Sequence, residues 1–266
     1  MTLIADSGST KTDWLVGGKT LKTIGINPAR DSLDTIREAL RPLPQTPFTH
    51  VFFYGAGCIP PFADKVRTAL KELYPEASIR VESDLLGAAL ALCGKREGIA
   101  CILGTGSNSC LWDGQGIAQH TPPLGYILGD EGGGASLGRR LVSDLLKGQL
   151  PADLRTSFMQ RFGITPKGII EQVYSRPMPN RWLASLVPFL QENKEREELR
   201  SLVAGELRLF IRRNIRQYRR PDLPLSFTGG IAHSFRSLLR EACQAEGYRL
   251  GEVLLSPLER LAQCLL

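Results

Sequence analysis

Two turns rich in glycine and hydroxyl residues, each between short apolar runs, are the segments of this sequence best suited to chemistry. The first is Asp6-Ser-Gly-Ser-Thr-Lys-Thr-Asp13 and the second is Gly104-Thr-Gly-Ser-Asn108. Glycine has no Cβ to hold an anion away, and backbone N–H groups and hydroxyls can converge on phosphate oxygens. A plain hairpin turn is the alternative for either segment alone. Two copies, one near the start of each half, favour a duplicated fold with a nucleotide between the halves.

The acidic residue that opens the first turn indicates a metal ion. A carboxylate beside bound phosphate requires a cation between the two anions. We therefore expect Asp6 to hold Mg²⁺ through water, while the turn residues contact the phosphates of a nucleotide: Gly8, Ser9, Thr10 and Lys11. An Asx-type turn is the alternative for Asp6.

Asp84 is the candidate general base. The segment 78–82 is predicted to be a strand, and Asp84 stands where that strand ends and a helix of small residues begins. Ligands of α/β proteins bind at the carboxyl ends of strands. A helix N-terminus keeps a carboxylate ionised and able to accept a hydroxyl proton. A simple N-cap is the alternative, and the two roles are compatible.

Two further segments could contact a substrate or a nucleotide. Asp130-Glu131 precedes three glycines, where a carboxylate could accept a sugar hydroxyl or begin a helix. Gly229-Gly230 joins an apolar strand to a helix and leaves room for a flat adenine. The three histidines are scattered, so no zinc-type cage is indicated.

Composition describes an ordinary globular protein. The chain has 266 residues, 42% of them hydrophobic and 23% charged, and a net charge of +6. Five arginines between Arg212 and Arg220 lie near the end of an amphipathic helix predicted over 199–218, where they form its solvated face. No aromatic residues alternate with them, so we expect no nucleic-acid partner.

Three features of the sequence predict a cytoplasmic protein. The six cysteines form no C-x-x-C pair, which is typical of small buried hydrophobes rather than of disulfides or zinc ligands. The apolar run at the start ends at Asp6, so it does not resemble a signal peptide. No stretch is apolar over a bilayer-spanning length, so no membrane partner is expected.

The predicted elements repeat one plan in the two halves. Each half begins with a three-stranded meander and continues with helices and buried strands, as in a mixed sheet with helices on its faces. We place one domain at 1–97 and a second at 98–266, with a helical insertion at about 151–220. We expect one helix over 234–247 and a last helix, 257–266, that packs back on the N-terminal domain.

The motifs taken together resemble a known superfamily. Asp6–Asp13, Ser83-Asp84, Gly104–Asn108, Gly129-Asp-Glu-Gly132 and Thr228-Gly-Gly-Ile-Ala232 occur in the order found in actin, chaperone ATPases and sugar kinases. Within that superfamily the chain resembles the BadF/BadG/BcrA/BcrD ATPase group, and in it the N-acetylglucosamine kinase type. The resemblance implies two ribonuclease-H-like (actin-like ATPase) domains with a nucleotide cleft between them.

The resemblance also implies a role for each matching residue. Asp84 would be the base at the 6-hydroxyl of an amino sugar, with ATP and Mg²⁺ as cofactors. The nucleotide would contact Thr10, Gly104, Thr105, Gly106, Gly229, Gly230 and Ser234. The sugar would contact Asn27, Ser107, Asn108, Gly125 and Asp130.

The chain departs from the family pattern at three positions. Ser7 and Ser9 replace glycines of the first turn, and Leu124 stands where the N-acetylglucosamine kinases carry tryptophan. N-acetylglucosamine, N-acetylmuramic acid and glucosamine therefore stay open as substrates, and so does the choice between a monomer and a homodimer. The alternative function is an ATPase activator of a 2-hydroxyacyl-CoA dehydratase or reductase, which would need cluster-binding cysteines that this sequence lacks. A sugar-sensing repressor and a binding protein without catalysis are weaker alternatives.

Overall fold

The structure is a computed structural model that describes all 266 residues. Its first sheet has five strands in the order β3-β2-β1-β4-β5. The meander pairs antiparallel, and β1, β4 and β5 pair parallel. The strands are β1 (Thr2–Ser7), β2 (Lys11–Val16), β3 (Lys19–Ile24), β4 (His50–Gly55) and β5 (Ser78–Ser83). Its helices are α1 (Leu33–Leu40), α2 (Ala63–Leu73) and α3 (Asp84–Cys93).

The second sheet repeats the plan of the first. Its order is β10-β9-β6-β7-β8, again with an antiparallel meander and two parallel neighbours. The strands are β6 (Gly98–Leu103), β7 (Ser107–Trp112), β8 (Ile117–His120), β9 (Leu225–Thr228) and β10 (Leu250–Leu254). The duplicated α/β architecture expected from the two turns is therefore confirmed. We call the first sheet with α1 and α2 the first lobe, and the second sheet with its helices the second lobe.

Most helices of the second lobe lie between β8 and β9. They are α4 (Gly125–Leu128), α5 (Gly134–Leu146), α6 (Ala152–Phe162), α7 (Pro166–Tyr174), α8 (Pro179–Ala184), α9 (Val187–Glu192) and α10 (Glu197–Phe210). After β9 come α11 (Gly230–Ser234) and α12 (Arg236–Ala245), and α13 (Leu258–Leu265) ends the chain. No helix is both long enough and apolar enough to span a bilayer.

Two helices lie between the sheets. Small residues of α3 pack on the second sheet, where Ala88 and Ala89 belong to one buried cluster with Trp112. On its other side a Cβ at Gly87 would lie 2.9 Å from Tyr54, so glycine permits this close packing. Leu258 and Leu261 of α13 pack with Ile4 and Tyr54 of the first sheet. The domain boundary at 97/98 stays a prediction.

The structure corrects three expectations about helices. The helix predicted over 199–218 is α-helical only to Phe210 and continues as a π-helical turn, Ile211–Ile215, and a 3₁₀ turn, Arg216–Tyr218. The helix predicted over 234–247 is α12, with narrower bounds, and the short α11 precedes it and is separated from it by buried Phe235. Helix α4 was not expected, because four residues are too few to show a helical period.

The arginines after α10 are not a simple solvated face. Arg208, Arg212 and Arg216 all reach Glu246 at 2.7 to 2.9 Å, and the side chain of Glu246 is 1% exposed. Positions four apart share one helix face, so these three cations converge on one buried carboxylate. Five cysteines are buried as expected, and Cys264 is exposed.

Candidate active site

The two turns face each other across a cavity of about 690 Å³. The Oγ1 atoms of Thr10 and Thr105, one from each lobe, lie 3.1 Å apart. The facing arrangement expected from the duplicated motif is therefore present. Most residues that line the cavity are polar or glycine, as suits a charged, hydroxyl-rich ligand.

Gly25 and Ser7 support the first turn through hydrogen bonds and close packing. The Gly25 N–H donates to the Thr10 carbonyl at 3.0 Å, and a Cβ at Gly25 would lie 2.4 Å from the Gly8 carbonyl oxygen. Ser7, one of the departures from the family pattern, is fully buried. Its hydroxyl lies 2.7 Å from the Thr12 hydroxyl and accepts the Ile26 N–H at 3.1 Å. These contacts connect the turn to the segment that carries Asn27.

The second turn rests on the N-terminus of α5. The Gly134 N–H donates to the Gly104 carbonyl and the Ala135 N–H to the Thr105 carbonyl, both at 2.8 Å. Gly106 has no room for a side chain, because a Cβ there would lie 2.8 Å from the Asp130 carboxylate. Glycine is therefore required in this turn for packing as well as for access to a ligand.

Asp84 is the first residue of α3 but does not cap it. Ser83 is the N-cap, since its hydroxyl accepts the Leu86 N–H at 3.2 Å. The Asp84 carboxylate accepts the Leu85 N–H at 2.9 Å and faces the cavity. Burial raises its pKa to about 6, and the hydrogen bond from Leu85 acts in the opposite sense. A carboxylate with that pKa is suited to accept a proton near neutral pH.

Asp6 lies on the same cavity as Asp84, and burial together with the charges of Asp84 and Asp13 raises its pKa to about 7. The hydroxyl of Ser256 donates to Asp6 at 3.3 Å. Lys11 does not neutralise Asp6 directly, because its ammonium group pairs with Asp13 at 2.6 Å. The cavity is thus lined by two half-buried carboxylates, those of Asp6 and Asp84, without a directly paired cation.

These acidic residues fit a hydrated Mg²⁺. Carboxylate oxygens are its usual protein ligands, and Mg²⁺ keeps several waters rather than entering a cage made of protein groups alone. No cluster of three or more potential metal ligands occurs. A cation beside Asp6 would also offset the charge repulsion that raises its pKa.

Asn27 and Asn108, two of the residues expected to contact a sugar, have fixed side-chain amides. The Asn27 N–H donates to Asp31 at 2.7 Å, and its side-chain oxygen accepts the Ala29 N–H at 3.2 Å. The side-chain oxygen of Asn108 accepts the Ser109 N–H and contacts His120 Nε2, each at 2.9 Å. With its oxygen engaged, the Asn108 amide has its NH₂ group left to donate.

Asp130 is held in a left-handed backbone conformation, with φ of 55°. Its carboxylate accepts the Ser107 N–H at 3.1 Å, and burial is the main cause that raises its pKa. Gly125 follows Leu124, whose backbone is also left-handed and whose side chain is exposed at the rim. Two strained backbones beside a cavity are typical of a binding site.

The segment after β9, which is expected to contact the nucleoside, forms another wall of the cavity. Gly229 has φ of 117°, and a Cβ there would lie 2.3 Å from the Leu103 carbonyl oxygen. Gly230 opens α11, which ends at Ser234. This geometry lets the backbone at 229–230 approach a flat ring closely.

All seventeen residues predicted to form the site lie on this one cavity: Asp6, Gly8, Ser9, Thr10, Lys11, Asn27, Asp84, Gly104, Thr105, Gly106, Ser107, Asn108, Gly125, Asp130, Gly229, Gly230 and Ser234. Their individual roles stay predictions. Sequence reasoning missed other lining residues, which belong to no motif: Asn180, Arg181, Ser185, Gln191 and Ser256. The only local signal near them was Pro179, which marks the start of a helix.

Comparison with solved structures places the chain among sugar kinases. It matches a proposed N-acetylglucosamine kinase (PG1100) from Porphyromonas gingivalis with 47% identity and a TM-score of 0.95, over 99% of this chain and 98% of that one. A second proposed N-acetylglucosamine kinase, from Chromobacterium violaceum, matches with 18% identity and a TM-score of 0.75 over 100% and 98% of the two chains.

A more distant structure shares the fold alone. It is a ROK family glucokinase from Streptomyces griseus in complex with glucose and AMPPNP, with 16% identity and a TM-score of 0.55 over 98% of both chains. No family model and no curated protein matches the chain. The expected actin-like ATPase and sugar-kinase fold is confirmed, and membership of the BadF/BadG/BcrA/BcrD group stays a prediction.

Proposed function

This chain belongs to the sugar-kinase family that includes PG1100, and we propose that it transfers phosphate from ATP to the 6-hydroxyl of an amino sugar. The observation that carries the proposal is the approach of Thr10 and Thr105 to 3.1 Å above a cavity that Asp84 also lines. Two phosphate turns and a carboxylate of raised pKa at one cavity are the parts that phosphoryl transfer needs.

Asp84 would act as the general base. Its carboxylate takes the proton of the sugar 6-hydroxyl, the hydroxyl oxygen forms a bond to the γ-phosphorus, and the bond from that phosphorus to ADP breaks. The N–H groups and hydroxyls of both turns stabilise negative charge on the phosphates. Positioning of the two substrates supplies much of the acceleration.

Asp6 would hold Mg²⁺ through water, as predicted from the sequence. The ion supplies charge neutralisation for the phosphates when it is bound. This role is supported by the raised pKa of Asp6, which reflects burial and the proximity of Asp84 and Asp13. Ser256 donates to Asp6 and so orients its carboxylate.

N-acetylglucosamine is the first candidate substrate. PG1100, which shares 47% identity with this chain, is a proposed N-acetylglucosamine kinase. The fixed amides of Asn27 and Asn108 and the carboxylate of Asp130 are suited to sugar hydroxyls. Leu124 at the rim, 59% exposed, offers less contact area than the tryptophan expected there. Glucosamine and N-acetylmuramic acid therefore belong in the test.

The ATPase-activator alternative has less support. An iron–sulfur cluster would need accessible cysteines, and five of the six are buried. Burial raises the pKa of Cys101 and of Cys110, which disfavours the thiolates that bind clusters. A colourless purified protein would agree with the kinase.

The test is an ADP-release assay on the three amino sugars with wild type and Asp84→Asn. We expect turnover on at least one sugar and a loss of about 10³-fold in kcat in the variant, because general-base catalysis is removed. The matched control is Asp64→Asn, an exposed acid in the first turn of α2, which should keep full activity. Thermal unfolding checks that both variants fold. Failure of wild type on every sugar, or full turnover by Asp84→Asn, would contradict the proposal.

A further inference from the structure

Arg181 crosses from the second lobe to the first phosphate turn. It lies on α8, lines the cavity, and its Nη2 donates to the Ser9 carbonyl. The side chain is half-buried, and its Nε is buried without a hydrogen-bond partner. A guanidinium that lines the cavity and reaches the first turn is placed to meet a ligand held there.

The charges around the cavity leave Arg181 without an anion. Lys11 and Arg181 are the two basic residues that line it, and Lys11 pairs with Asp13 at 2.6 Å. Arg181 has no carboxylate within 4.0 Å. Burial and the nearby charge of Arg30 lower its pKa, while Asp31 acts in the opposite sense. An unpaired, partly desolvated cation is costly, and an anionic ligand would offset that cost.

Helix packing holds Arg181 in this position. Gly134 and Gly138 lie four residues apart on one face of α5, against α8. A Cβ at Gly138 would lie 2.0 Å from the Leu183 carbonyl oxygen, and one at Gly134 would lie 3.1 Å from Ala184 Cβ. The two glycines therefore let α8 approach α5 closely enough to extend Arg181 to the first turn.

We propose that Arg181 binds the distal phosphates of the nucleotide, changing partner from the Ser9 carbonyl to phosphate oxygens. The planar guanidinium matches phosphate geometry and can donate two parallel hydrogen bonds. This inference rests on the proposed kinase function. It assigns to the helical insertion a direct contact with ATP, in addition to the contacts made by the two turns.

The test is calorimetric titration of wild type, Arg181→Gln and Arg181→Lys with AMPPNP and with AMP, both with Mg²⁺. AMP lacks the distal phosphates, so it reports only the nucleoside end of the site. We expect Arg181→Gln to weaken AMPPNP binding about tenfold or more, since hydrogen bonds to charged groups are among the stronger ones. AMP affinity should stay within about twofold, and Arg181→Lys should fall between wild type and Arg181→Gln.

The matched control is Arg176→Gln. Arg176 precedes α8, is exposed and pairs with Glu171, so both affinities should stay unchanged. The inference would be overturned if Arg181→Gln bound AMPPNP as tightly as wild type, or if it lost affinity for AMP as much as for AMPPNP. Should Arg181→Gln fail to fold, the Arg181→Lys data decide by the same comparison. Wild type that binds neither nucleotide would instead refute the proposed function, and the inference with it.

Discussion

The two glycine-rich hairpins, β1–β2 and β6–β7, share a backbone plan and differ in chemistry. The two hairpins differ most clearly at the second cross-strand pair, counted from the turn. That pair is Asp6 with Asp13 in the first hairpin and Ile102 with Asn108 in the second. The first hairpin therefore concentrates charge, and the second presents an amide and backbone donors supported by α5.

The difference teaches how a duplicated fold divides its work. A metal ion and a general base need carboxylates, and burial raises the pKa of two carboxylates next to the first hairpin, those of Asp6 and Asp84. Sugar recognition needs directed neutral donors and acceptors, and we propose that Ser107 and Asn108 of the second hairpin supply them; the Ser107 N–H donates to Asp130 and the Asn108 side-chain oxygen accepts the Ser109 N–H. We propose that neither lobe is sufficient alone, because the transferred phosphoryl group lies between them.

The largest expected effect comes from neutralising the first hairpin with Asp6→Asn. We expect activity to fall by two orders of magnitude or more if Asp6 holds the metal. Stability should rise, because the folded pKa of about 7 exceeds the ordinary 3.8. Between about pH 4 and 7 the native state then keeps a proton that the unfolded chain has lost, so wild type loses stability as pH rises through that window.

Thermal unfolding against pH measures the stability part of this prediction. The variant should melt roughly 5 °C above wild type at pH 8, and the gap should close toward pH 4. Asp113→Asn is the control of opposite sign. Hydrogen bonds from Gly116 and Gln115 hold the pKa of Asp113 below its usual range. Asp113→Asn should therefore lower the melting temperature slightly at pH 8. A lower melting temperature for Asp6→Asn at pH 8 would contradict the assignment.

A smaller effect tests whether the hairpins act together. We expect Thr10→Val and Thr105→Val each to lower kcat/KM for ATP about tenfold through loss of a hydroxyl donor. Because the hydroxyls lie 3.1 Å apart, the double variant should lose at least about twofold less than the product of the single losses. Steady-state kcat/KM for ATP, measured for wild type, the two single variants and the double variant, gives this coupling.

The control cycle combines Thr10→Val with Thr156→Val. Thr156 lies on α6 and donates only to the Ala152 carbonyl, so these two changes should be independent. Coupling in the control cycle, or none between Thr10 and Thr105, would show that the two turns do not share a ligand.

The smallest effect concerns the amide of the second hairpin. His120 contacts the side-chain oxygen of Asn108 at 2.9 Å and so orients the amide that we propose binds the sugar. His120→Ala should raise the KM for the sugar roughly threefold and leave the KM for ATP unchanged. His50→Ala, at the far end of the first sheet, is the control. A change in the ATP KM alone would contradict this assignment.

Local patterns in the sequence determined much of this protein. Glycine and hydroxyl turns between apolar runs are short-range signals, so the strands, both meanders and the two turns could be predicted from them. Other residues of the cavity, such as Asn27 and Gly125, were expected only because the motifs resemble those of a known family. Ser83-Asp84 shows the limit of such signals, because either residue could have capped α3. The structure gives the cap to Ser83 and leaves Asp84 facing the cavity.

Tertiary structure alone decided the rest. Gly25 under the first turn, Arg181 beside it and the arginines on Glu246 depend on contacts between residues distant in sequence. Arg181 reaches Ser9 across 172 positions of the chain because two glycines of α5 allow α8 to pack closely. Hydrophobic periodicity predicts that a helix has a buried face, but which helix it packs on, and how closely, is set by shape complementarity in the folded chain.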